Sequence, residues 1–375
     1  MVLADSYLHT LDPFVIEFSS GFGVRWYGLS YAMGFLVAWM MIRWISRRSW
    51  SPLPPQKVGD LMFAVILGVL LGGRLGYAIF YEPHLFIGFS KSLPYWDLLA
   101  INKGGMASHG GMIGVIISVW WFGMKNNTSS LHLLDLAGMA TTPGLCLGRI
   151  ANFINAELWG KPLPDSMQSY VAGRGLTGVD PPWWSIKYAQ EITEVWLPIV
   201  NHPQRHSPQL VQDAQERLDL AAQQLAPIIP PSGNFFDQAV HAARDTSVAL
   251  HEQVALAIKP LLTAFYPSQI FQAITDGPIL FGLLVLIWLR PRKPGVVGSW
   301  FLIWYGILRI ATEVFRQPDA GVPLTFGLLS RGQTLSLLMI VIGLVCLRIA
   351  TKRDVPPIGG LFAGGVKPTT GVAKQ

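Results

Sequence analysis

The chain has 375 residues, 51% of them hydrophobic and only 13% charged, whereas soluble domains carry about 25% charged residues. With a mean hydropathy of +0.39, this composition excludes an ordinary soluble enzyme and points to an integral membrane protein. The net charge of +6 then reflects cytoplasmic loops beside anionic lipid rather than nucleic acid, and no basic-aromatic interleaving of the nucleic-acid kind occurs. The two cysteines, Cys146 and Cys346, both lie in apolar runs, which excludes a disulfide framework or a paired-cysteine metal site.

Residues 1–24 hold no Lys or Arg, whereas a secretory signal opens with a positive region. A first span is expected over 26–46, opening with Trp26-Tyr27-Gly28. Arg43, Arg47 and Arg48 at its end set the N-terminus outside and the next loop in the cytoplasm. A second span, 58–81, carries Gly68, Gly72, Gly73 and Gly76, small residues that permit close helix contact in lipid. Arg74 lies inside this apolar run and must face protein or a polar cavity, as a structural pair or a substrate contact. Residues 82–105 read as an external arm on the membrane surface. A third span, 106–123, is entered through Gly104, Gly105, His109, Gly110, Gly111 and Gly114. A lone membrane histidine is usually a packed structural group; one among five glycines is open to a ligand.

The fourth span, 131–150, delivers Arg149 to the external side. The stretch Gly148-Arg-Ile-Ala-Asn-Phe-Ile-Asn-Ala-Glu-Leu-Trp-Gly160 places Arg149, Asn152, Asn155 and Glu157 just beyond an apolar run. On a helix Arg149 and Asn152 share a face. An arginine fork beside amides is a good phosphate receptor; the plain alternative is a snorkelling arginine at a helix end. Residues 161–267 are polar and proline-rich. Leu210, Ala214, Leu218, Ala222 and Leu225, then Phe236, Ala239, Ala243 and Val254, recur near helical spacing. They predict an external subdomain of two helices, broken at 227–233, with no chemical constellation and dispensable for chemistry. Its His202, His206, His241 and His251 lack metal-ligand spacing.

A fifth span, 268–289, ends in the basic loop Arg290-Pro-Arg-Lys-Pro294. The sixth, 297–315, carries Tyr305, Arg309 and Glu313 as one polar stripe at i, i+4, i+8. The seventh, 331–350, leads to a cytoplasmic tail. The expected architecture is an all-α polytopic membrane protein of about seven transmembrane helices with an external helical insert. Its parts are a four-span membrane part over 1–163, the insert over 164–266, a three-span part over 267–350 and a disordered tail over 351–375. No internal repeat of the transporter kind is present.

These motifs together resemble the prolipoprotein diacylglyceryl transferase family. The resemblance covers 1–163 and 267–350 and rests on Trp26-Tyr27-Gly28, Gly72-Gly73-Arg74-Leu-Gly76-Tyr77, His109-Gly-Gly111, the 148–160 stretch, and Tyr305-Gly-Ile-Leu-Arg309 with Glu313 and Arg316-Gln-Pro-Asp319. It implies a bacterial inner-membrane enzyme that moves a diacylglyceryl group from phosphatidylglycerol to the lipobox cysteine of a prolipoprotein signal region. Tyr27, His109, Arg149 and Arg309 are then the catalytic candidates, and Arg74, Arg149, Asn152, Asn155, Glu157, Tyr305, Arg309 and Glu313 the substrate-binding ones. No metal or cofactor is expected. The chain departs from the family's usual His-Pro-Ser-Gln-Leu-Tyr-Glu at Tyr266, Phe271 and Gln272, and 161–267 is longer than usual. The competing classes are an anionic-lipid transporter or flippase, a metal-dependent phosphoryl-transferring lipid enzyme and a catalytically silent relative.

Overall fold

The computed structural model describes residues 6–19, 22–89, 94–100, 104–230, 232–245, 248–317 and 329–362. The chain is mostly helical. Short strands β1 (Tyr7–Leu8), β2 (Phe14–Ser19) and β3 (Phe22–Arg25) precede α1 (Trp26–Arg47), α2 (Val58–Phe80), α3 (Ser108–Lys125) and α4 (Ser130–Ile154). Then follow β4 (Tyr170–Val171), β5 (Gly175–Leu176), β6 (Ile186–Lys187), α5 (Leu197–Asn201), α6 (Pro208–Leu225), α7 (Phe235–Arg244) and α8 (His251–Ile258). The last elements are α9 (Ser268–Ile274), a π-turn (Thr275–Ile279), α10 (Leu280–Trp288), α11 (Val296–Glu313) and α12 (Arg331–Lys352).

Helix occupies every segment expected as a span. Among the described residues, four helical stretches are long and apolar enough to cross a membrane: Trp26–Arg47, Pro55–Phe80, Ser268–Trp288 and Gly332–Lys352. The chain divides into two compact units.

The first unit comprises Met1–Ser30, Leu147–Ile274 and Ile310–Arg331. Its main core gathers Leu218, Ala221 and Leu225 of α6, Ala239 and Ala243 of α7, and Val254 and Ile258 of α8 around Ile192 and Trp196. The amphipathic pattern therefore marks buried positions correctly at Ala214, Leu218 and Leu225, while Leu210 is exposed. The break at 227–233 separates α6 from α7, but four helices, α5 to α8, form among the described residues where two are expected. The short α8 follows α7 closely and blurs the periodicity of both. A buried polar network, invisible to spacing arguments, also sits here. Glu191 accepts from Thr263 N (2.8 Å), Thr263 Oγ1 (2.6 Å) and Trp196 Nε1 (3.2 Å). Arg217 donates to Leu261 O (2.8 Å) and lies 4.3 Å from the Tyr170 ring. Burial pushes the Glu191 carboxyl up; Arg217 and the three donors oppose it.

The second unit comprises Tyr31–Cys146, Thr275–Arg309 and Gly332–Gln375. Its core joins Ile42, Ile45, Val58, Leu61, Phe122, Leu133, Leu136, Leu280, Leu284 and Val297. The glycines of α2 and α3 meet face to face: a Cβ on Gly76 would stand 2.7 Å from the Gly110 Cα. Between apolar helices such backbone contact is the main packing term, because lipid tails are as apolar as leucine. Asp135 accepts from Gly295 N (2.8 Å) and Gly298 N (2.6 Å) and so caps α11, satisfying amides that a helix start leaves unpaired.

Candidate active site

The sequence stretch 148–160 folds into the tail of α4 and a tight turn. Glu157 N–H donates to the Asn152 carbonyl (2.9 Å) and Ala156 N–H to that of Phe153 (3.0 Å). These are the paired bonds of a Schellman cap. Such a cap puts one residue in the left-handed region, usually glycine. Here that residue is Ala156 at φ 55, and Leu158 follows at φ 56. Glu157 is thus flanked by two non-glycine residues in a conformation that costs about 1–2 kcal/mol each.

Backbone of this kind persists where its surroundings over-determine it. Gln269 Nε2 donates to the Glu157 carbonyl (2.7 Å) and to the Tyr188 hydroxyl (3.1 Å). Ser268 Oγ donates to the Leu158 carbonyl (3.2 Å), and Trp159 Nε1 to that of Ala156 (2.6 Å). Beneath the turn Trp159 stacks on Tyr188, with ring centroids 4.6 Å apart and planes at 2°. Ala156, Ile186 and Phe265 complete that buried cluster. His9 Nε2 donates to the Phe153 carbonyl (2.7 Å). Burial lowers the His9 pKa to about 4, so the ring is neutral and Nε2 carries its proton.

On the open side of the turn stands Tyr27, in the first turn of α1. Its hydroxyl lies 2.6 Å from Glu157 Oε2 and within hydrogen-bond reach of Asn152 Oδ1. A phenol has one proton, and a charged carboxylate is the stronger acceptor. Glu157 is exposed and Asn152 buried, so the cluster presents its carboxylate outward from a fixed amide. Three residues expected from sequence, Tyr27, Asn152 and Glu157, are brought together here. Arg149 is half-buried five residues before the end of α4. The Asn155 Oδ1 is buried without a hydrogen-bond partner in the protein. Glu313 is buried and accepts from Ser330 Oγ (2.8 Å).

Four other expected site residues belong to the second unit. His109 is exposed in the first turn of α3. Tyr305 stacks on Phe301 at 5.8 Å, and Arg309, one turn on, is buried. Arg74 is also buried, and its donors are engaged: Nε to Leu98 O (2.8 Å), Nη1 to Gly104 O (2.7 Å) and Gly105 O (2.9 Å), Nη2 to Asp97 O (2.6 Å). The partners of these bonds are backbone carbonyls, not the carboxylate of an ion pair. Asp319 of the Arg316-Gln-Pro-Asp319 motif lies outside the described residues.

Sequence reasoning passed over His9, Tyr188 and Gln269. Gln269 sits in the Pro-Ser-Gln motif at 267–269, which was in view; Tyr188 lies in the stretch taken as dispensable and gives no signal. Ile186, Tyr188 and Phe265 pack beneath Trp159, a contact of 161–267 with the 148–160 turn that the residue pattern does not foretell.

Membrane-length apolar helices and a tyrosine–amide–carboxylate cluster at a helix end define an integral membrane protein with a polar site at a helix end. The sequence model of the family described as prolipoprotein diacylglyceryl transferase matches residues 13–349. The chain belongs to that family. It is 40% identical over 359 residues to the phosphatidylglycerol–prolipoprotein diacylglyceryl transferase of Bdellovibrio bacteriovorus, covering 95% of this chain and 97% of that one. Proteins of the same name from Ruegeria pomeroyi (33% identical; 87% of this chain, 90% of that one) and Pseudomonas syringae (32%; 92% and 95%) are similar along nearly their full length.

Proposed function

We propose that this chain transfers the diacylglyceryl group of phosphatidylglycerol to the lipobox cysteine thiol of prolipoproteins, the first step of bacterial lipoprotein maturation. The observation that carries the reading is the 148–160 turn, whose strained backbone presents Glu157 and Tyr27 beside Asn152 at the end of the helix bearing Arg149. Strain of this kind collects at functional sites.

The reaction breaks the bond between the glycerol C3 carbon and its phosphate oxygen and forms a carbon–sulfur bond. The thiol gives up its proton, and glycerol phosphate leaves with the bonding electron pair. A free thiol has a pKa near 8.5 and is mostly protonated at neutral pH, so a base is required. His109, exposed among glycines, takes that proton. Arg149 and Arg309 stabilise the negative charge growing on the leaving phosphate, which favours the transition state over the ground state. Asn152, Asn155, Glu157, Tyr305 and Glu313 orient the headgroup and the two guanidiniums, and Tyr27 fixes Glu157.

The same reading has seven spans across the bacterial cytoplasmic membrane, with the N-terminus and the 164–266 insert external and the C-terminus cytoplasmic. The supports are helix at every expected span and the Arg-rich ends at Arg43, Arg47, Arg48, Arg290, Arg292, Lys293, Lys352 and Arg353. Incubating the purified protein with phosphatidylglycerol and a lipobox peptide, then weighing the peptide, tests the reaction. A mass gain of one diacylglyceryl group is expected. An unmodified peptide would favour a transporter or a silent relative, the latter through the Tyr266, Phe271 and Gln272 changes.

A further inference from the structure

From the bonds of the second unit we infer that Arg74 is a positioning residue for His109, not a lipid ligand. A cation inside an apolar helix needs compensation, and Arg74 finds it in four backbone carbonyls. Two of these, Asp97 O and Leu98 O, belong to the short 3-10 turn Asp97–Leu99. The other two, Gly104 O and Gly105 O, lie on the approach to α3. Four of the five guanidinium N–H groups are thereby used, which leaves no fork for a phosphate.

What the guanidinium fixes is the entry of His109. Gly104 and Gly105 take φ 82 and φ 77, a region open to glycine, and this turns both carbonyls onto Nη1. A Cβ on Gly105 would fall 2.8 Å from Nη1 and 2.6 Å from the Tyr77 ring. Two residues on, Ala107 N–H donates to the Gly73 carbonyl (2.9 Å). Residues 104–107 are therefore tied to one turn of α2 by three hydrogen bonds, and His109 follows in the next turn of chain. Planarity matters here. The guanidinium spreads donors toward two separate segments at once, whereas an ammonium gathers its three at one point.

The inference rests on the reading of His109 as the base, and the experiment separates the two. Full-length Arg74→Lys, Gly105→Ala, His109→Gln and the Arg74→Lys/His109→Gln double variant are compared in the lipobox-peptide assay with phosphatidylglycerol vesicles. Thermal stability is recorded for each. A displacement near 1 Å of a reacting group costs about 100-fold, so Arg74→Lys is expected to lower kcat by about 10- to 100-fold. The KM for phosphatidylglycerol should stay within about twofold. Gly105→Ala, which disturbs the same contact from the loop side, should reproduce this split and serves if Arg74→Lys folds poorly. In the His109→Gln background Arg74→Lys should change the rate by less than about twofold, because residues acting as a unit are not additive. An undiminished loss in that background, or a raised KM with kcat unchanged, overturns the inference. A wild-type rate in His109→Gln alone overturns the reading of His109 instead.

Discussion

Two glycine-flanked segments carry several of the candidate residues, and they are held in opposite ways. In the 148–160 turn the strained positions are Ala156 and Leu158, at φ 55 and φ 56, although glycines stand at either end. In the 104–111 segment the left-handed positions are glycines, Gly104 and Gly105, and carry no such strain. The first turn is over-determined by many neutral contacts, from Gln269, Ser268, Trp159 and His9. The second depends on one buried cation. Glycine in a sequence therefore marks permission for a backbone shape, while the shape itself is decided by what surrounds it. The difference also separates their failures: the first should degrade gradually as contacts are removed, the second all at once.

The largest effects should come from the reacting groups. His109→Gln keeps size and polarity but removes a base, and a loss of roughly 10²–10⁴-fold in rate is expected with lipid binding retained. Arg149→Ala and Arg309→Ala should lose both turnover and phosphatidylglycerol binding, with Arg→Lys only a partial rescue. Turnover in the peptide assay and binding to lipid vesicles distinguish these patterns. A His109→Gln enzyme near wild-type rate would leave His109 as a structural residue.

Next in size are the supports of the 148–160 turn. Gln269→Leu leaves the Glu157 carbonyl and the Tyr188 hydroxyl without their shared donor. An unmade buried hydrogen bond costs about 1–3 kcal/mol, so thermal stability should drop visibly and turnover follow. Replacing 161–267 by a short linker removes Ile186, Tyr188 and Phe265 from beneath Trp159, and should abolish activity. An active, folded protein without that stretch would show that the turn holds itself.

How much of this is legible in the sequence differs between the two segments for a physical reason. Side-chain chemistry is written in residue identity, so Tyr27, Asn152 and Glu157 could be selected before their contact was known. Apolar runs and charged ends likewise placed a helix at every expected span. Backbone carbonyls carry no identity, and the partners of Arg74 were unreadable for that reason. The left-handed turn at Ala156 and Leu158 was hidden because neither residue advertises that conformation. Tyr188 was hidden because it directly follows β6, a strand too brief to show a period.

A smaller effect concerns pH. His9 is fully buried, and its folded pKa of about 4 lies below the ordinary 6.5. Folding thus requires the neutral ring. The stability it contributes is complete above pH 6.5 and falls away as pH drops toward 4, by at most about 3 kcal/mol. His9→Gln retains a donor for the Phe153 carbonyl and cannot titrate. Unfolding midpoints measured between pH 7 and pH 4 should slope less in that variant than in the wild type. An equal slope would place the acid sensitivity elsewhere.

The smallest expected change is the sharpest comparison of the two segments. Ala156→Gly should relieve about 1–2 kcal/mol of left-handed strain. It also frees the unfolded chain, at a cost of about 0.4–1 kcal/mol. The Ala156 methyl is buried against Trp159 and Tyr188, and losing it costs about 0.8 kcal/mol. These terms nearly cancel, so stability should move by less than about 1 kcal/mol and turnover hardly at all. Gly105→Ala is the mirror substitution and has no such cancellation. It adds strain at φ 77 and drives a methyl toward the Arg74 guanidinium and the Tyr77 ring. Measured side by side in thermal unfolding and in the peptide assay, the first should be silent and the second severe. A severe Ala156→Gly would mean that the turn needs its alanine for packing more than for backbone shape. A silent Gly105→Ala would mean that the approach to His109 can give way without moving it.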